Sequence, residues 1–171
     1  MTENDTARRS WQQSDTLTPN AWAQRNLAAL AHQQKRFAEA ADLWLKALQL
    51  QPALPALVIE TLQALLDTQR SDAIPALIAE LPATMKSYGR CRLLEARAAL
   101  ANNDIETAAT ILRDLEVPDL RECEVSLSDM WYELQTRRVA QRDQIPVDES
   151  LRTRIRTEYP IPYQLNFSMT G

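Results

Sequence analysis

The segment from Ala21 to Leu54 reads AWAQRNLAALAHQQKRFAEAADLWLKALQLQPAL. Two amphipathic helices are written in it. In the first, Leu27, Ala28, Leu30 and Ala31 recur at helical spacing. Just upstream, Thr18 is a candidate N-cap, and Pro19 suits the first helical position, where a missing N–H costs nothing. The second helix, from Phe37 to Gln51, lays Phe37, Ala40, Ala41, Trp44, Ala47 and Leu48 along one stripe. Its alanines let the two helices approach closely, and Phe37 and Trp44 fill the space that remains.

The order Leu27, Ala28, Phe37, Ala40, Trp44, Ala47, Pro52 resembles the tetratricopeptide repeat, or TPR, whose period is about 34 residues. The next unit, Pro55 to Tyr88, keeps Leu62 and Leu65 but has Ile74, Ile78 and Leu81 where small or aromatic residues are usual. It still reads as a helix pair, with Ser71 as N-cap and Pro75 in the second helix's first turn, where proline is tolerated. The unit from Gly89 recovers the pattern with Ala96, Ala99, Asn103, Asp104, Ala108, Leu112 and Leu115, and Pro118 follows two positions early. A further helix is expected from Val125 to Arg142, capped by Ser126 or Ser128, and a short one from Asp148 to Tyr159. The expected fold is therefore all-α: a TPR-like α-solenoid of about three helix pairs with C-terminal capping helices and an extended tail. Residues 1–17 form a flexible or partly helical arm, 18–142 the repeat domain with its capping helix, and 143–171 the short helix and tail.

In that tail Ile161, Tyr163, Leu165, Phe167 and Met169 alternate with proline and polar residues. A period of two belongs to an extended segment with one buried face, and Pro160 and Pro162 exclude helix. Those five residues either pack on the chain's own helices or dock on a partner.

A second resemblance lies in the last fifty or so residues. The run Leu120-Arg121-Glu122-Cys123-Glu124-Val125-Ser126-Leu127-Ser128-Asp129-Met130-Trp131 and the closing Leu165-Asn166-Phe167-Ser168-Met169 look like the end of certain large bacterial proteins. Those proteins carry a sugar-mutarotase-like β-sandwich region followed by TPR-like helices. Here Cys123 replaces their glycine, Asn166 their aspartate and Ser168 their arginine. The likeness implies a helical accessory subunit or domain of a bacterial carbohydrate-processing assembly, and it transfers no catalytic residue.

Several chemistries are excluded. Among 171 residues the only glycines are Gly89 and Gly171, so no G-x-G-x-x-G, phosphate loop or nucleophile elbow can be written. A net charge of −4 and a pI near 5.1 argue against nucleic acid as partner. Cys91 and Cys123 fit no zinc or redox spacing and read as thiols of a reducing cytoplasm. The N-terminus has no apolar signal segment, and no run is long enough for a membrane span. The single histidine, His32, forms neither a triad nor a metal site, so no metal, cofactor or catalysis is expected. The arginines at 137, 138, 142, 152, 154 and 156 alternate with acids, which points to local ion pairing.

Binding remains. In TPR proteins the first helix of each pair lines a concave groove. By that resemblance the groove holds Trp22, Arg25, His32 and Gln33, then Ile59, Gln63 and Leu66, then Arg90, Leu93 and Arg97. Arginines with Trp22 and His32 suit an acidic or C-terminal carboxylate peptide. Where the family's chaperone-tail clamp has a lysine and an asparagine, this chain has Arg25 and Ala29. The expected role is non-catalytic protein–protein interaction, with a carbohydrate-assembly accessory and a secretion-type chaperone as the other readings.

Overall fold

A computed structural model describes residues 3–117 and 127–165. Those residues are helical and include no strand. The helices are α1 (Glu3–Leu17), α2 (Ala21–Gln33), α3 (Phe37–Leu50), α4 (Pro55–Asp67), α5 (Ile74–Glu80), α6 (Ala83–Lys86), α7 (Gly89–Ala101), α8 (Ile105–Arg113), α9 (Leu127–Asp143) and α10 (Glu149–Glu158). Single 3₁₀ turns cover Ser71–Ala73 and Tyr163–Leu165. The chain divides into two compact units, one through Cys91 and one from Arg92.

In the first unit α1 packs on α2, α2 on α3 and α3 on α4. Ala28 and Ala31 of α2, Ala40, Ala41 and Trp44 of α3, and Ala64 of α4 form one buried cluster. Residues 3–17, within the stretch expected as a flexible or partly helical arm, are the helix α1. The Asp15 carboxylate fastens its end by accepting from the Asn20 N–H at 3.2 Å and from Gln24 Nε2. The cap of α2 is Asn20, not Thr18. Its side chain accepts from the N–H groups of Trp22 at 2.8 Å and Ala23 at 3.3 Å, while the Thr18 hydroxyl donates to the adjacent Leu17 carbonyl. Pro19 lies outside the helix.

The second helix of the 55–88 pair is broken. Ser71 opens a 3₁₀ turn, α5 is short, and α6 follows beyond Pro82. Proline restricts the residue before it to extended backbone, and Leu81 is extended with φ −68° and ψ 153°. The Lys86 ammonium donates to the Ala79 carbonyl at 2.6 Å and ties the two fragments together.

The period of thirty-four recurs in the turns. Lys35, Gln69 and Asn103 have φ of 60°, 58° and 59°, and each is the second residue past the end of α2, α4 or α7. The next N–H bonds back across each turn: Arg36 to Ala31 at 2.9 Å, Arg70 to Leu65 at 2.8 Å and Asp104 to Ala99 at 2.8 Å. This is the Schellman closure, in which a left-handed residue after the helix satisfies its last carbonyls. Gln144, with φ 52°, closes α9 the same way, Ile145 bonding to Ala140 at 3.1 Å.

In the second unit, Leu93, Ala96, Ala99 and Leu100 of α7 share a core with Ile105, Ala108, Ile111 and Leu112 of α8 and with Met130 and Leu134 of α9. Val139 and Ala140 of α9 pack with Leu151 and Ile155 of α10. The described part of the tail departs from the expected alternation at Tyr163. The 3₁₀ turn, closed by the Leu165 N–H on the Pro162 carbonyl at 2.9 Å, rotates successive side chains by about a third of a turn rather than a half. Leu165 is therefore fully buried in the core and Ile161 half-buried against it, while Tyr163 is 95% exposed. Pro118, Cys123, Ser126, Asn166, Phe167, Ser168 and Met169 lie outside the described residues, as does most of the run from Leu120 to Trp131.

Candidate functional site

The outward face of α2 carries Trp22, Arg25, Ala29 and Gln33 at helical spacing. Trp22 is 54% exposed. Arg25 is half-buried and lays its guanidinium edge on Glu60 of α4, with Nε to Oε2 at 2.8 Å and Nη2 to Oε1 at 2.5 Å. Trp44 Nε1 donates to the same Oε2 at 3.1 Å. One carboxylate thus holds α2, α3 and α4 together. Below it, the buried Thr61 hydroxyl donates to the Trp44 carbonyl at 3.2 Å. The hydrogen bond to Glu60 raises the Arg25 pKa above the ordinary guanidinium value against a smaller lowering by burial.

Expected groove residues therefore separate by role. Arg25 is committed to an internal carboxylate, and an incoming anion would have to displace Glu60. His32 turns toward α3, with its ring 5.2 Å from Phe37 edge-on and 5.7 Å from Trp44. It belongs to the seam between α2 and α3 rather than to the Trp22 face. Gln63 of α4 donates to Asp67 at 2.7 Å, and Gln33 is exposed. Arg90, in the first unit, and Arg97, in the second, are half-buried and already engaged in interactions of their own. The sequence reading missed Glu60. Its signal was available: an acid one residue off the repeat period from Arg25, on the equivalent helix of the next pair.

In the second unit the arginine-rich stretch is largely self-paired. Glu133 accepts from Arg137 at 2.7 Å and from Arg152 at 3.1 Å, and Arg156 reaches Asp129 at 3.4 Å while lying 4.8 Å over the Tyr132 ring. All of these but Arg137 line a polar cleft of about 430 Å³ between α9 and α10. A second cleft, of about 490 Å³, is lined by Glu106 of α8, by Gln135, Arg138, Val139, Gln141 and Arg142 of α9, and by Tyr159. Arg142 forks onto Asp143 at 2.7 and 3.0 Å, and that hydrogen-bonded pair raises the Arg142 pKa and lowers that of Asp143.

Among the described residues no group of three or more His, Cys, Asp or Glu is placed to hold a metal ion, and no helix is long and apolar enough to cross a membrane. Cys91 is a buried thiol. Comparison of the chain with protein-family models, curated proteins and solved structures finds no match.

Proposed function

We propose that this chain is a non-catalytic protein-interaction module, a TPR-like α-solenoid whose α2 face receives a protein or peptide partner. The observation that carries the reading is Trp22. More than half of its surface is open to solvent, on a helix braced through Arg25 and Glu60. Exposed tryptophan on a rigid element is the residue type that dominates binding energy at interfaces, because it offers large area at little entropic cost. The 34-residue recurrence of left-handed turns supports the repeat reading. Since Glu60 neutralises Arg25, apolar contact at Trp22 is the main attraction, and charge complementarity to an acidic partner is secondary.

The test is Trp22→Ser in a capture experiment from native lysate, with a photo-crosslinking residue at position 22 as a second readout. The variant should keep the wild-type circular dichroism and thermal midpoint and lose the partner. Equal capture by wild type and variant, with no crosslink from position 22, overturns the proposal.

A further inference from the structure

We propose that the cleft between α8, α9 and Tyr159 is a binding site for a free α-amino acid, recognised as a zwitterion. Two opposite charges face it without partners among the described residues: the Glu106 carboxylate on α8 and the Arg138 guanidinium on α9. The two are not paired with each other. Arg142, the other cation on the wall, is already neutralised by Asp143. The same lining includes Gln135, a residue only 5% exposed whose amide has no hydrogen-bond partner among the described residues. Its nitrogen and oxygen are not sealed from solvent, so a ligand in the cleft can take the place of water on them.

The charge balance selects the ligand. A simple anion would answer Arg138 and be repelled by Glu106, and a simple cation the reverse. A molecule carrying both a carboxylate and an ammonium satisfies the two at once, and Gln135 can both donate to its carboxylate and accept from its ammonium. Val139 and the Tyr159 ring supply an apolar wall for a side chain. The volume of about 490 Å³ falls within the range of roughly 300–1,000 Å³ typical of small-molecule sites.

The experiment is calorimetric titration of the full chain with L-leucine and L-phenylalanine, then with N-acetyl-L-leucine, L-leucinamide and acetate. The free amino acids should bind, and blocking either end should abolish binding. Arg138→Gln and Glu106→Gln, both at exposed positions, should each weaken binding roughly tenfold or more. Arg152→Gln, in the neighbouring cleft, should bind as wild type does. The proposal is overturned if neither amino acid binds at millimolar concentration. It is equally overturned if acetate or N-acetyl-L-leucine binds as well as leucine, which would make this a plain carboxylate site, or if both cleft variants bind unchanged.

Discussion

Arg25 on α2 and Glu60 on α4 meet edge to edge across 35 residues of sequence, and Trp44 of α3 closes the contact through its indole N–H. The two bonds differ in weight. The ion pair is about one-third exposed on each side, so water and salt screen it. Trp44 is 8% exposed, and its indole N–H donates to Glu60. Glu60→Ala should therefore destabilise by about 1–3 kcal/mol, the range for orphaning a buried donor. Arg25→Ala should lose less than about 1 kcal/mol, and less still at high salt. Urea denaturation followed by tryptophan emission measures both, and equal losses would show that the charge pair dominates.

Lys35 and Gln69 hold left-handed backbone that favours glycine, since a Cβ there crowds the carbonyl that follows. Lys35→Gly and Gln69→Gly should each stabilise the first unit by about 0.5–1 kcal/mol, the relief of strain exceeding the entropy glycine adds to the unfolded chain. Asn103→Gly should gain less, because asparagine tolerates that conformation. The ranking of the three urea midpoints is the check.

These turns also show what the sequence could and could not reveal. Helix positions were legible because Leu27, Ala28, Ala40 and Trp44 repeat with the helical period and lie buried where that period puts them. Helix ends were less so. Thr18 before Pro19 is a good N-cap by residue type, but Asn20 is nearer the helix and its carbonyl oxygen reaches two N–H groups at once. Nothing in Lys35 or Gln69 announces a left-handed residue, since both are good helix formers. The α2 face follows from the TPR resemblance, and a resemblance in helix order cannot tell which charges are already spent. Arg25 counted as available because Glu60 sits on another helix. His32 counted as a groove residue because its contacts with Phe37 and Trp44 depend on side-chain direction and not on spacing.

Asp104 caps α8 by accepting from the Thr107 N–H at 3.1 Å. Hydrogen bonding from Thr107 holds its carboxyl below the ordinary value of 3.8. A carboxyl whose pKa is lower folded than unfolded stabilises the fold fully above the unfolded value. That contribution fades as pH falls through the folded value. Asp104→Asn keeps a capping oxygen but cannot titrate. The stability difference between wild type and Asp104→Asn, read from urea midpoints, should thus be constant near neutrality and shrink as pH drops below 3.8. A difference independent of pH would mean that the charge contributes nothing at this cap.

Leu165 and Tyr163 are two residues apart, and a strand would place them on one face. The 3₁₀ turn sends them to opposite environments, Leu165 to 0% exposure in the α7–α8–α9 core and Tyr163 to 95%. Leu165→Ala removes a fully enclosed side chain and leaves a cavity, so the second unit should lose about 2–5 kcal/mol. Tyr163→Ala removes a ring that touches almost nothing and should stay within about 0.5 kcal/mol of wild type. Limited proteolysis gives an independent readout. The Leu165→Ala chain should be cut near its C-terminus faster than wild type, because the segment anchored by that side chain opens more often. Comparable losses in the two variants would mean that the tail packs as an ordinary extended strand, with Tyr163 as buried as Leu165.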